Sequence, residues 1–266
     1  MLGRSHAISG AMASSLALAA VPDYVAAEPF AAAALVVTTT GAAVLPDADH
    51  PNATAAKVLP PLSAPICGVV ATVSGGHRKG THYLLGLIVF AVVVTVACAP
   101  SLVLGADHPY NTYAVISQAV LTGICVAMGL GALKVFRASK SPAFGWVAAL
   151  LAGALVWYSQ LDPLVTIAAL VGGCFVHIVG DMLTPQGVQF LWPITTTFRI
   201  PILATKDKEA RKRREALLAS LMIVVTIIAW AYIIGALDPI IDIVWPYITD
   251  FFGTLTNNVP KGEWGL

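Results

Sequence analysis

The sequence predicts an all-α membrane protein, a polytopic transmembrane helical bundle of about seven spans. Three observations predict it. The 266 residues are 58% hydrophobic and only 11% charged, whereas soluble domains carry about 25% charged residues. The apolar residues form runs close to the length of about 20 residues that a helix needs to cross a bilayer. Many of these runs are rich in Ala, Gly and Ser, which favours close helix packing in lipid.

The candidate spans follow one another along the chain, in the order 7–22, 28–45, 82–99, 112–134, 144–159, 163–181 and 216–236. A further apolar stretch, 58–75, is short and contains prolines at positions 60, 61 and 65. We interpret it as a re-entrant or interfacial segment, which is tolerated where protein or water covers the backbone. The chain then divides into a membrane-embedded domain, 1–195, and a region with a basic loop, a final transmembrane helix and a short extracytoplasmic tail, 196–266.

The distribution of basic residues predicts the orientation. With the N-terminus in the cytoplasm and 58–75 returning to the same side, every Lys and Arg except Lys261 lies at a cytoplasmic end, as the positive-inside rule requires. A full span at 58–75 would invert everything after it and remove this bias. We therefore expect a multi-pass inner (plasma) membrane protein with a cytoplasmic N-terminus and an extracytoplasmic C-terminus. A cleaved signal peptide is the alternative for the N-terminus, and it would remove His6.

Composition gives little support to other classes of protein. The formal net charge is +1, which does not indicate a nucleic-acid partner. We interpret the basic run at 206–214 as a stop signal that fixes orientation and touches anionic lipid head groups. The cysteines show no CxxC spacing, so we expect neither a zinc ribbon nor a disulfide framework. They are interpreted as packing residues in or beside the apolar runs: Cys67, Cys98, Cys125 and Cys174.

Four short clusters contain five of the six histidines, together with three aspartates. Each cluster lies at one end of an apolar run, and in the predicted topology all four ends face the cytoplasm. An ionisable residue near a membrane is costly, so a concentration of such residues indicates a functional site. The candidate metal ligands are His6, Asp47, Asp49, His50, His77, His82, His177 and Asp181.

Each cluster also has a structural interpretation. His177 and Asp181 are four residues apart and share one helix face, so they can hold a metal or form a buried hydrogen-bonded pair. The segment L-P-D-A-D-H-P is a polar turn between helices or a proline-stiffened loop in which one carboxylate orients a histidine. Arg78 and Lys79 suit an anionic substrate group or an anchor for the topology. His6 is a ligand or a plain interfacial residue.

The donor set predicts metal chemistry. Histidine and carboxylate ligands without cysteine favour Zn²⁺ and also suit Mn²⁺ or Fe²⁺. The candidate ligands exceed the four that one tetrahedral zinc takes, so we expect two ions. A two-metal site activates water near neutral pH and clamps a transferring phosphoryl group. Asp47 or Asp49 would act as general base. Arg78 is assigned both a catalytic and a substrate-binding role, and Lys79 a substrate-binding role.

Three of these motifs resemble those of a known family. L-P-D-A-D-H-P, H-R-K-G-T-H and H-I-V-G-D-M-L-T-P-Q-G-V-Q-F-L-W-P are similar to the motifs of the YdjM-type membrane-bound metal-dependent hydrolases, bacterial and archaeal inner-membrane proteins also labelled LexA-binding. The match covers about residues 1–195. The resemblance implies the metal ligands given above, with His6 as the early histidine of the family. It also implies that Thr184 and Trp192 shape the pocket wall. Tyr83 departs from the family, which often has serine there.

A shorter likeness, H-x-x-G-D followed by a proline, is to the zinc-dependent phospholipase C and nuclease superfamily, and it implies a phosphodiester substrate. Residues and resemblance together predict a hydrolase at the cytoplasmic membrane face. Its substrate would be a lipid-like or small anionic ester or phosphodiester, with membrane lipids and a cytoplasmic protein as further partners. Two alternatives remain open. One is a metal or proton-coupled transporter, although its ligands should lie near the bilayer midplane; the other is a regulatory scaffold.

Overall fold

The computed structural model describes residues 2–105, 107–136, 142–203, 205 and 207–257. Within these ranges the chain is helical, and its β-structure is limited to one isolated bridge between Val188 and Phe198. The basic residues Arg137, Lys140, Lys206 and Lys261, which contribute to the predicted orientation, lie outside the described residues. The helices of these ranges are α1 (Gly3–Ala19), α2 (Pro22–Ala27), α3 (Pro29–Ala42), α4 (Ser63–Val73), α5 (Leu84–Cys98), α6 (Pro100–Leu104), α7 (Asn111–Ala132), α8 (Pro142–Ser159), α9 (Pro163–Met182), α10 (Lys208–Ile233) and α11 (Asp238–Asn257).

The predicted all-α membrane fold is confirmed. Among the described residues, 4 segments are long and apolar enough to cross a membrane: Pro29–Asp49, α7, α9 and α10. Three further apolar helices, α4, α5 and α8, are shorter. The helix α5 ends just before Ala99 and Pro100 because the residue before a proline is disfavoured in a helix. The number of helices that cross the bilayer stays a prediction.

The stretch 58–75 contains the 11-residue helix α4. At 1.5 Å per residue this helix is about 16 Å long, and the hydrocarbon core is about 30 Å thick. Its length therefore agrees with the interpretation of a segment that does not cross the membrane. The C-terminal region differs from expectation, because α11 follows α10 where only a short tail was predicted. Pro246 lies inside α11, and an internal proline argues against a helix in sequence analysis.

The centre of the bundle is α3, which contacts α1, α7 and α9. Small residues bring the backbones of these helices together. A Cβ at Gly41 would overlap the carbonyl group of Cys125 on α7, and a Cβ at Gly173 on α9 would lie 2.5 Å from the Cβ of Ala42. Such close approach replaces the hydrophobic driving force that is missing between helices in lipid. It fixes α3 and α9 relative to each other directly beside the candidate ligands.

The four polar clusters lie at one end of this bundle. His6 is in the first turns of α1, and the 3₁₀ turn Pro46–Asp49 follows α3. A second 3₁₀ turn, Gly80–His82, precedes α5, and Asp181 lies at the end of α9. The two 3₁₀ turns contact each other, and the first also contacts α9. The helix ends therefore bring together residues that are far apart in sequence.

The helix α10 is held against α1 by hydrogen bonds at two levels. At the end with the polar clusters, Glu215 accepts hydrogen bonds from the hydroxyl of Ser5 (2.8 Å) and from the backbone N–H of Leu2. Further along, Trp230 donates its indole N–H to the hydroxyl of Ser15 (3.0 Å). The C-terminal region, predicted as separate from the domain at 1–195, therefore packs along the helix that carries His6.

Candidate metal centre

The structure places seven of the eight candidate ligands in groups whose donor atoms lie within 4.8 Å of one another. One part of the cluster is buried among the helices, and the other lies nearer the surface. Asp47 belongs to both parts. The three groups are His6, Asp47 and His177; His82, His177 and Asp181; and Asp47, Asp49 and His77.

The deepest feature of the cluster is a pair of facing imidazole nitrogens. The Nε2 atoms of His82 and His177 lie 3.2 Å apart, and both side chains are fully buried. His177 Nδ1 lies 2.8 Å from the carbonyl oxygen of Ala43. A carbonyl only accepts, so Nδ1 carries the proton and Nε2 of the neutral ring presents a lone pair.

The same reasoning applies to His82. The hydroxyl of Thr81 donates to Asp49 Oδ2 (2.6 Å), and its oxygen therefore accepts from His82 Nδ1 (2.9 Å). His82 Nε2 then also presents a lone pair when the ring is neutral. Two facing lone pairs repel unless a cation lies between them. Two nitrogen ligands of a tetrahedral zinc, each about 2.0–2.1 Å from the metal, are about 3.3 Å apart.

Carboxylates surround the paired histidines. His6 Nε2 lies 3.2 Å from Asp181 Oδ1, and the ring of His6 stacks on that of His177 with centroids 3.8 Å apart. His82 Nε2 lies 3.5 Å from Asp181 Oδ2. His82 thus has a carboxylate near each ring nitrogen, Asp49 at Nδ1 (3.4 Å) and Asp181 at Nε2. The charges at this position favour a cation.

The outer group is formed by the turn after α3 and by His77. Asp47 and Asp49 lie in a 3₁₀ turn that begins at Pro46, which agrees with the interpretation of this segment as a polar turn between helices. Asp49 Oδ1 lies 2.8 Å from His77 Nδ1, and Asp49 Oδ2 also accepts from the backbone N–H of Arg78 (3.0 Å). Both oxygens of Asp49 are therefore engaged by protein groups. Asp47 Oδ1 lies 3.6 Å from His177 Nε2 and links the outer group to the buried one.

Three predicted residues lie at the margin of the cluster. The ring of His50 packs edge-on against His77 with centroids 4.9 Å apart, but His50 is in none of the three donor groups. Lys79 is exposed. Trp192 is 48% exposed, and its ring stacks on Tyr83 at 5.6 Å. Tyr83 therefore has a packing role at the position where serine was expected.

Arg78 connects the cluster to the segment after α9. Its Nε lies 3.0 Å from Asp181 Oδ2, and its Nη1 donates to the hydroxyl of Thr184 (2.9 Å). The backbone of Arg78 has a φ of 62°, in the left-handed region that residues with a side chain rarely adopt. This conformation costs of order 1–3 kcal/mol and persists where the surroundings impose it. Here the bond from its N–H to Asp49 supplies such a constraint.

A polar cavity of about 220 Å³ adjoins Arg78. Arg78 and Thr184 line it together with Arg211 and Glu215 of α10. The carboxylate of Glu215 is bonded to α1, as described above. The two guanidinium groups therefore make the cavity suited to an anionic group, because arginine binds phosphate and carboxylate in a bidentate manner.

The residues of the cluster fit a bound metal. The buried Nδ1 of His6 makes no hydrogen bond to any described residue, although buried polar atoms are normally paired. The facing nitrogens of His82 and His177 have the separation that a shared ion requires. Each of these rings is also oriented by a second partner, Thr81 or the carbonyl of Ala43, as is usual for metal-ligating histidines.

Comparison with known proteins agrees with this arrangement of motifs. The model of the YdjM inner membrane protein family matches residues 1–136 and 138–237, nearly the whole chain. The chain belongs to the YdjM family. This family assignment confirms the resemblance that the three motifs indicate, and it extends beyond residue 195 into α10.

Two curated relatives of the YdjM family are similar over a shorter stretch. The inner membrane protein YdjM of Escherichia coli (strain K12) is 40% identical over 57 residues, which is 21% of this chain and 28% of the relative. The YdjM protein of Shigella flexneri matches to the same extent. The aligned part of this chain thus spans less than a third of either relative. No solved structure matches the chain. The family name supports the predicted inner-membrane location.

Sequence analysis missed several residues around the site. Thr81 was given no role in the site, although it directly precedes His82. Arg211 was interpreted as part of a topological signal, and Glu215 was not considered. A signal for Glu215 exists, because it is an acidic residue at the junction between a basic run and an apolar run. The carbonyl of Ala43 carries no signal, since every residue has one.

Thr81 provides the first testable prediction. We expect Thr81→Val to lower metal affinity about 10- to 100-fold, the usual effect of losing an outer-shell partner. The physical reason is that valine cannot relay the hydrogen bond between His82 and Asp49. Thr81→Ser keeps the hydroxyl and should restore the affinity. Competition with a chromogenic chelator measures both, and equal affinities for the two variants would contradict the role of Thr81.

Proposed function

We propose that this protein is a membrane-bound metal-dependent hydrolase that acts on a phosphodiester or ester bond of a lipid-like substrate. The observation that carries the proposal is the pair of buried nitrogens, His82 Nε2 and His177 Nε2, 3.2 Å apart and surrounded by carboxylates. One proton shared by the two rings would account for this pair alone, but not for the gathering of His6, Asp47 and Asp181 around it. Divalent metal, with Zn²⁺ preferred over Mn²⁺ or Fe²⁺ by the donor set, explains the arrangement.

Two ions are proposed because the donor groups form two parts. His6, His82, His177 and Asp181 would hold the buried ion. Asp49 and His77 would hold the outer one, and Asp47, which belongs to both parts, would lie between the two ions. Bound ions would supply Lewis-acid chemistry, namely activation of water near neutral pH and stabilisation of negative charge on a phosphoryl group. His50 is proposed to support His77 rather than to bind metal.

Asp47 is the better candidate for general base. Both oxygens of Asp49 are occupied by His77, Thr81 and the N–H of Arg78. Asp47 has one close partner, His177, at 3.6 Å, and its side chain is 16% exposed. A general base must be reached by the water whose proton it accepts. In hydrolysis of a phosphodiester, Asp47 would accept this proton while the P–O bond to the leaving alcohol breaks, and that alcohol would take up a proton.

Arg78 and Arg211 are proposed to bind the anionic group of the substrate in the polar cavity. Arg78 also contacts Asp181, so it would place that group next to the metal ligands. Thr184 fixes the guanidinium of Arg78 (2.9 Å). Lys79 and Trp192 are exposed, and they are proposed to meet the substrate before it reaches the cavity. By the positive-inside rule the site would face the cytoplasm.

Metal removal tests the hydrolase proposal. We expect purified protein in lipid vesicles to contain divalent metal and to hydrolyse bis(p-nitrophenyl) phosphate, a water-soluble phosphodiester. Chelation should abolish this hydrolysis, and addition of Zn²⁺ or Mn²⁺ should restore it, because the ligands would remain in place. The measurements are metal content by mass spectrometry and release of nitrophenol.

The same preparation distinguishes the alternatives. Uptake of metal into sealed vesicles without hydrolysis would indicate a transporter and contradict the hydrolase. If the protein shows neither bound metal nor hydrolysis, the regulatory scaffold is the remaining alternative. That result would also contradict the hydrolase proposal.

A further inference from the structure

A large apolar cavity lies beside the turn that carries Asp47 and Asp49, and its lining differs from that of the polar cavity with the two arginines. Its volume is about 640 Å³, within the range of about 300–1,000 Å³ that is typical of ligand pockets. Its walls are α4, α7 and α8, represented by Ile66, Val120 and Trp157. Several of these side chains are exposed, Ile66 by 58% and Val120 by 53%. The cavity therefore opens towards the surroundings of the bundle, which for a membrane protein include the hydrocarbon region.

The inner end of this cavity is formed by the ligand-bearing turn itself. Leu45 and Ala48 line the cavity, and Ala48 lies between the candidate ligands Asp47 and Asp49 in the chain. The helix α4 packs against this 3₁₀ turn. The loop beyond it is tied to α8, because Trp146 donates its indole N–H to the carbonyl of Pro60 (2.8 Å). An elongated apolar group in the cavity would thus end beside the metal ligands.

The two cavities have complementary chemistry, and each is lined by residues that adjoin the metal cluster. Leu150, Val120 and Trp157 represent the lining of the first, while Arg78 and Arg211 lie in the second. Arg78 touches Asp181 (3.0 Å), and Ala48 adjoins Asp47 and Asp49. An amphipathic molecule with an anionic head group and a hydrocarbon tail matches both at once. A small soluble anion would occupy the polar cavity alone and leave the larger apolar cavity empty.

We propose that the cavity between α4, α7 and α8 binds an acyl chain of an anionic phospholipid whose head group reaches the metal cluster. This inference rests on the hydrolase proposed above and names its substrate class. It makes Leu150 and Ala154, which line the cavity one helical turn apart on α8, determinants of chain binding. Their neighbours Leu151 and Leu155 lie on the adjacent face and are similarly exposed, 62% and 57% against 68% for Leu150.

Photolabelling tests the proposal. Vesicles would contain the full-length protein and a phosphatidic acid with a diazirine near the end of one acyl chain. In the wild type we expect labelled peptides from the cavity wall around Ile66, Val120 and Trp157. The double variant Leu150→Trp/Ala154→Phe fills the cavity and should reduce that labelling about tenfold. The matched variant Leu151→Trp/Leu155→Phe adds the same bulk outside the cavity and should label like the wild type.

Two results would overturn the inference. The first is labelling spread evenly over the outer faces of the helices. The second is equal cavity labelling by a phosphatidylcholine with the same chain, which would indicate a bilayer lipid only.

Hydrolysis of bis(p-nitrophenyl) phosphate by the same wild-type sample separates this inference from the proposed function. Cavity labelling without hydrolysis would contradict the proposed hydrolase activity and support the lipid-binding cavity. Hydrolysis without cavity labelling would support the hydrolase activity and contradict the lipid-binding cavity.

Discussion

Replacing His177 with alanine is expected to weaken metal binding by more than about 100-fold, beyond the 10- to 100-fold loss that removal of an outer-shell partner causes. His177 belongs to two of the three donor groups, so its loss would remove the nitrogen that joins His6 and Asp47 to His82 and Asp181. Equilibrium competition against a chelator of known affinity, followed by metal content per chain, measures the change.

The matched control for this variant is His108→Ala. His108 lies before α7 and packs against Tyr110, with ring centroids 4.7 Å apart, so it should leave metal content unchanged. His177→Ala also leaves the buried carbonyl of Ala43 without its donor, which costs about 1–3 kcal/mol. A second variant, His77→Ala, avoids this problem because the side chain is 37% exposed. It should lose the outer ion and retain the buried one. Wild-type metal content in both variants would defeat the metal centre.

Substituting Gly173 with alanine is expected to destabilise the bundle by about 1–3 kcal/mol, the usual cost of overpacking. The new methyl would lie 2.5 Å from the Cβ of Ala42 and 2.8 Å from the backbone nitrogen of Ala43. Because both atoms belong to α3, the two central helices must move apart. His177 follows Gly173 by one helical turn, so metal affinity should fall as well. Thermal unfolding in lipid vesicles, monitored by circular dichroism, measures the stability.

The adjacent residue provides an internal control. A Cβ at Gly172 would meet nothing within 4 Å, and alanine is favoured over glycine in helices by about 0.8–1.0 kcal/mol. Gly172→Ala should therefore be neutral or stabilising. If both variants unfold at the same temperature as the wild type, the close contact between α3 and α9 does not contribute to stability as described.

The helices and the meeting of the polar clusters at one end of the bundle were predictable from the sequence. The apolar runs predict where the helices lie in the chain. Successive spans cross the membrane in opposite directions, and this alternation predicts which helix ends lie on the same side. His177 and Asp181 are four residues apart on α9, and helical periodicity alone places them on the same face. For the same reason the predicted bounds of α9, 163–181, differ from Pro163–Met182 by one residue.

What could not be predicted depends on contacts between distant segments. Periodicity does not show that α10 closes the polar cavity with Arg211, because that requires the bond between Glu215 and Ser5 across the bundle. The sequence analysis left the shape of the segment at Pro46–Asp49 open. Two acidic residues separated by one position suit an extended loop as well as a 3₁₀ turn, and only the packing of the turn against α4 and α9 distinguishes them. The helix α11 was not predicted, and it contains Pro246 in its interior.

The central position of α3 has a consequence for biosynthesis. Of the apolar window in Pro29–Asp49, 61% is covered by protein in the finished bundle, yet its partner α9 begins at Pro163, 121 positions after Ala42. At translation rates of about 5–20 residues per second, roughly 6 to 24 seconds pass before that partner has been made. Until α7 has been made, α3 has only α1 and α2 beside it, and its faces of small residues meet lipid. Nascent chains stalled before α7 should therefore be recognised by membrane quality-control proteases, whereas chains stalled after α9 should escape them.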